Sequence, residues 1–174
     1  RAFSIFTTSL SIAVGSLFDL YTSHTFTYIW TLAVGLLGGS LIDLALGFPQ
    51  ELRIVIGRPY IRWTGYLVGF ALVLNAYGTL FNFDDPTAYI GAWQVIYGFD
   101  GLAALFYFGM LFYHAMTSLS PVVKNQTRTI LIGSLVAFGP MVIWFLFSGK
   151  AFNPYLLPCL IVLPMVNGYV VLRF

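Results

Sequence analysis

The chain has 174 residues, of which 59% are hydrophobic and 8% charged, with a net charge of +2 and a mean hydropathy of +0.88. Soluble domains carry about a quarter of their residues as charged ones, so this composition excludes an ordinary globule and implies a polytopic membrane protein. The single cysteine, Cys159, excludes an intrachain disulfide, and no clustering of metal ligands or basic residues calls for a metal site, a cofactor or a nucleic-acid partner.

Six apolar stretches are predicted as spans, at residues 2–21, 27–48, 60–81, 90–116, 128–148 and 155–172. A backbone exposed to lipid must satisfy its own hydrogen bonds, so each is expected to be helical. The connections are short, so the expectation is an all-α polytopic transmembrane helix bundle of antiparallel neighbours, one domain over 1–174. The stretch 97–140 organises the chain. It holds two apolar segments joined by a short polar turn containing Pro121, Lys124 and Arg128, expected at a membrane surface. The chain starts at Arg1 and ends straight out of an apolar helix, as expected for a piece of a longer polypeptide.

Charge orients the spans. Arg1, Arg53, Arg58, Arg62, Lys124, Arg128 and Arg173 fall on one side, and only Lys150 falls on the other, with Asp84 and Asp85. The positive-inside rule places both ends in the cytoplasm, and six spans return the chain to its starting side. A bacterial inner membrane is the expected location, with the lipid bilayer as partner.

Small residues recur every fourth position in the second span, at Gly35, Gly39 and Gly47 with Asp43 between them, and again at Gly65 and Gly69 in the third. Such stripes let helix backbones approach closely in lipid, and they imply packing partners within the bundle or in an oligomer. Pro49 is expected to end the second span, and residues 51–62 to lie on the inner leaflet as a short amphipathic element. Pro140 is expected to kink the fifth span, and Pro158 and Pro164 the sixth.

Three carboxylates fall inside spans: Asp19, Asp43 and Asp100. A charge at mid-bilayer costs about 2.5–3.5 kcal/mol on insertion scales, so these residues are functional candidates by default. Asp43 lies near the basic connection, within reach of Arg53, Arg58 or Arg62, and reads as structural. Asp19 and Asp100 lie toward the outer half, at the levels of Asn75 and Gln94. These four predict a polar ligand pocket open to the outside. The bland alternative is an interfacial Asp19 and an Asp100 bonded to a neighbouring helix. His24 and His114 sit at opposite faces and cannot flank one haem. No nucleophile, base and orienting group come together, so no catalytic residues are expected and the segment is not read as an enzyme.

The segments FDLYTSH, LIDLALGFPQELR, RPYIRW, the run from YGFDGLAALFYFGMLFYHAM to LIGSLVAFGPMVIW, FNPYLLP and PMVNGYVVLRF occur in this order over nearly the whole chain. In that order the chain resembles the multispanning N-terminal sensor region, of the seven-helix type, of bacterial membrane histidine kinases. The resemblance implies a further helix before the start and an exit helix leading to a cytoplasmic output domain in cis. Kinase residues are absent from this segment, so none can be assigned. The function expected is therefore a membrane-embedded sensory, signal-transducing module. The alternative is a structural or accessory subunit held among other membrane subunits, as in a photosynthetic or respiratory complex.

Overall fold

A computed structural model describes residues 1–48, 51, 53–82, 84–85, 87–148 and 154–173. The described residues form helices joined by turns, without a β-strand: α1 (Ala2–Gly15), α2 (Thr27–Gly47), α3 (Arg53–Gly57), α4 (Ile61–Tyr77), α5 (Ala88–Thr117), α6 (Pro121–Ser148) and α7 (Val162–Arg173). Two 3-10 segments, Leu17–Tyr21 and Pro154–Ile161, precede α2 and α7. Among them α2 and α5 are long and apolar enough to cross a bilayer, while α1 is apolar but shorter. The chain divides into two compact units, Arg1–Tyr107 and Phe108–Phe174.

In the first unit α2 packs against α1 on one side and α4 on the other. The α2–α4 seam is built from the two glycine stripes. A Cβ on Gly39 would stand 3.0 Å from backbone atoms of Gly65 and Tyr66, and one on Gly69 would run into the Gly35 carbonyl oxygen. Only hydrogen at these positions lets the backbones meet, as expected for small-residue seams. Hydrogen bonds cross the same interfaces. Trp30 Nε1 donates to the Ala13 carbonyl at 3.1 Å, and the Tyr77 hydroxyl to the Tyr28 carbonyl at 2.7 Å. A cluster of Ala13, Trp30, Ala33, Val34, Ala76, Ala92 and Ile96 draws α1, α2, α4 and the first turns of α5 together.

The face of α4 turned to α2 is lined mainly by small residues, and large apolar side chains stand on its exposed face. Gly65, Gly69, Val73 and Ala76 are buried, whereas Leu67, Phe70 and Leu74 stand out at 67%, 50% and 54% exposure. In α5 Leu102, Leu105, Phe112 and Met116 are likewise exposed.

In the second unit α6 packs on α7 and on the 3-10 segment before it. Gly133 lies under Val166, whose side chain a Cβ would meet at 2.6 Å, and Phe108 meets Phe138 edge-on at 5.8 Å.

Several boundaries differ from the sequence expectation. The first α-helix ends at Gly15, not near residue 21, because Ser16 turns its hydroxyl back onto the Ile12 carbonyl at 2.5 Å and a 3-10 turn follows. The polar turn expected around Pro121, Lys124 and Arg128 is the start of α6. Proline is preorganised for the first helical position, where no N–H is needed, and the Lys124 N–H already bonds the Ser120 carbonyl at 3.1 Å. The sixth span is not one α-helix: its first half is 3-10, and Pro164 falls in the first turn of α7, where proline is tolerated. Pro140 lies inside α6 as expected. The helix α2 stops at Gly47 with Phe48 extended (φ −141°, ψ 141°), the conformation imposed on a residue before proline. Pro49 itself and Lys150 lie outside the described residues.

Candidate functional site

The two ends of the first unit differ in chemistry. At one end, where α2 finishes and α4 begins, Asp43 is 2% exposed and ion-paired to Arg62 Nε. The Tyr66 hydroxyl donates to the other Asp43 oxygen at 3.2 Å, and Arg62 Nη1 reaches Glu51 at 2.9 Å. Gly47 leaves room for the guanidinium, since a Cβ there would lie 2.9 Å from Arg62 Nη2. Arg1 joins this end by stacking its guanidinium 4.2 Å over the Trp63 ring. Sequence reasoning correctly gave Asp43 an arginine partner. It missed Tyr66 and Glu51, whose proximity depends on how the connection after α2 folds back.

At the other end a cavity of about 670 Å³ opens between the 3-10 turn after α1, the start of α2, the exit of α4 and the start of α5. Its floor is Thr27 and Trp30, both buried. One wall is Tyr89, Trp93 and Tyr97, successive members of a four-residue repeat that lie on one face of α5. Leu17, Leu20 and Leu80 complete the walls, and His24, Phe81 and Asn82 form an exposed rim. Trp30 meets Trp93 at 4.8 Å, and Trp93 meets Tyr89 at 4.8 Å, so the aromatic wall is braced ring against ring. His24 (φ 58°) and Phe81 (φ 57°) have left-handed backbones, an uncommon conformation for residues with a Cβ, and both border this cavity.

The four residues expected to form a polar pocket are placed separately from its lining. Asp19 sits in the 3-10 turn, where its carboxylate accepts hydrogen bonds from the Ser23 hydroxyl and, at 2.7 Å, from the Phe26 N–H. Asn75 on α4 and Gln94 on α5 are exposed. Asp100 packs against α2, with its Oδ1 2.5 Å from where a Gly38 Cβ would stand. That oxygen is closed to solvent, and the Gly38 backbone N–H faces the carboxyl. None of the four lines the cavity. The signal that marks the cavity in the sequence is the spacing of Tyr89, Trp93 and Tyr97, which reads equally well as an interfacial aromatic belt.

His114, in the last turn of α5, is buried with its Nε2 unpartnered among the described residues. No family model matches the chain, and neither a curated protein nor a solved structure matches it.

Proposed function

We propose that the chain is the membrane-embedded sensory module of a bacterial signalling protein, a six-span bundle of the inner membrane with both ends cytoplasmic. The observation that carries this is the construction of α2. Its first turn contributes Thr27 and Trp30 to the outer cavity, and its last turn contributes Asp43 to the ion-paired cluster at the opposite end. At 1.5 Å per residue the 21 residues of α2 span roughly 30 Å, the thickness of a bilayer core. A single rigid element thus joins a site facing outward to a charged junction at the inner surface. Occupation of the cavity would favour one packing of α2 on α1 and α4, and the shift would pass through the exit helix to an output domain. Such coupling requires the ligand to bind the two packings unequally.

Membrane insertion is supported by the exposed large apolar side chains of α4 and α5, which an aqueous surface would not favour. The histidine-kinase sensor relationship rests on the ordered sequence segments.

Two measurements test the proposal. Cysteines introduced at Ser23 and at Arg58, in a Cys159→Ala background, should react with an impermeant maleimide from opposite faces of the membrane. Labelling from the same face would remove the six-span arrangement. The intact mass of the native polypeptide should lie well above 19.4 kDa, with an output domain following Phe174. A native mass near 19.4 kDa would leave nothing to be driven and would favour the accessory-subunit alternative.

A further inference from the structure

We infer that the outer cavity is a binding site for an uncharged, ring-bearing apolar compound that carries a hydrogen-bond acceptor at one end. Its size falls within the range of about 300–1,000 Å³ typical of small-molecule sites. Five aromatic side chains border it, Trp30, Phe81, Tyr89, Trp93 and Tyr97, so a flat ring finds faces and edges to pack on. Among the described residues of the lining there is no Asp, Glu, Lys or Arg. A charged ligand would shed its hydration there without a counter-charge, and ring faces could compensate only a cation, so the neutral compound is favoured and the ammonium analogue is its test.

Polar side chains lie at the rim, at His24 and Asn82, and deeper, where Thr27 is in the floor and the buried Trp93 Nε1–H has no acceptor among the described residues. Asn82 accepts the Asp84 N–H through Oδ1 at 3.0 Å, which turns its amide Nδ2–H₂ to donor duty, and His24 stands across the opening. An acceptor on the ligand is therefore satisfied at the mouth while its ring lies inside.

The walls are preformed. Trp30 is pinned by its hydrogen bond to Ala13, and Thr27 donates to the His24 carbonyl at 2.9 Å, holding the rim residue in its left-handed conformation. Strained backbone of this kind persists where surrounding structure over-determines it, and it concentrates at ligand clamps.

This inference deepens the sensory reading by naming a ligand class, and binding is measured without a signalling readout, so the two can fail separately. The full-length protein in phosphatidylcholine nanodiscs is dialysed to equilibrium against 1-acetonaphthone, 1-naphthoate or (1-naphthylmethyl)trimethylammonium, with protein-free nanodiscs as reference. The neutral ketone should bind saturably, about one per chain, and both charged analogues at least roughly tenfold more weakly. Leu20→Trp and Leu80→Trp, which fill the cavity from two different walls, should each weaken ketone binding at least roughly tenfold. Asn82→Leu should weaken it roughly fivefold, the worth of one ordinary hydrogen bond. If Leu20→Trp loses helicity by circular dichroism, Leu80→Trp alone decides. The inference is overturned by ketone uptake no greater than in empty nanodiscs, by equal binding of a charged analogue, or by unchanged binding in the folded tryptophan variants. A phospholipid retained by the wild type, lost from those variants and never displaced by the ketone would also overturn it.

Discussion

Gly69→Ala tests whether the α2–α4 seam holds the first unit together. The added methyl would overlap the carbonyl oxygen of Gly35, a backbone atom that cannot rotate away, so the two helices must part. At the neighbouring crossing point a Cβ on Gly39 would lie 3.0 Å from Gly65 and Tyr66 backbone, against 3.4–4 Å for an ordinary contact. Even that milder case demands a shift of about 0.4–1.0 Å, and a gap of 0.5–1 Å forfeits a quarter to a half of each van der Waals well along the seam. Overpacking of this sort destabilises by about 1–3 kcal/mol. Gly101→Ala supplies the control, because nothing lies within 4 Å of a Cβ there. It should be neutral or stabilise by up to about 1 kcal/mol through helix propensity alone. Reversible unfolding of the full-length protein in mixed micelles, titrated with dodecyl sulfate and followed by circular dichroism, measures both variants. Equal unfolding midpoints for Gly69→Ala and Gly101→Ala would refute the close-packed seam.

The remaining predictions concern charge. Arg62→Gln leaves the buried Asp43 with Tyr66 as its partner among the described residues and should destabilise by about 1.5–3 kcal/mol, the worth of hydrogen bonds to charged groups. Tyr66→Phe should cost about 1 kcal/mol in the same unfolding assay, and a larger effect than Arg62→Gln would reverse the ranking argued from the geometry. Asp100→Asn should leave the unfolding midpoint unchanged or raised, since a buried uncharged amide costs less to desolvate than a carboxylate. A clear drop would reveal a partner that the carboxylate requires. At the start of α5, hydrogen bonds from the Thr87 hydroxyl and N–H hold the exposed Asp85 carboxylate below its ordinary pKa. A depressed folded-state pKa contributes stability that is present above the unfolded value near 3.8 and is lost as pH falls through the folded value. Protection factors for amide exchange at Thr87 and Ala88, corrected for the intrinsic rate, should therefore be high at pH 5 and fall below 3.8, and in Asp85→Ala they should already be low at pH 5. A wild-type profile unaffected by acid would show that Asp85 does not hold this turn.

Much of the architecture was legible because it depends on local chemistry. Gly35, Gly39, Gly65 and Gly69 recur at helical spacing, and a face of glycines within apolar helices has close helix contact as its natural use. Phe48 precedes a proline and is extended, as the steric clash with a following pyrrolidine ring demands. The pairing of Asp43 with an arginine followed from a buried carboxylate one connection away from three of them. Helix ends were less legible. Ser16 acts through hydrogen bonds to one carbonyl and Pro121 through its fixed φ, effects too local for hydropathy averaged over a whole span to register.

The cavity belongs to tertiary structure alone. Leu17, Trp30, Phe81 and Trp93 come from four separate segments, and nothing in their sequence spacing sets the space between them. Residues 19, 75, 94 and 100 were grouped by their depth along the spans, but depth does not determine rotation about a helix axis. Each residue along an α-helix turns the side chain by about 100°, so Gln94 points away from the wall that Trp93 faces. Hydropathy and glycine spacing were enough to show that the described chain is mostly helical and which stripes can meet closely. The packing of α2 between α1 and α4 decided which side chains border an empty volume, because that choice rests on complementary shape among residues distant in the chain.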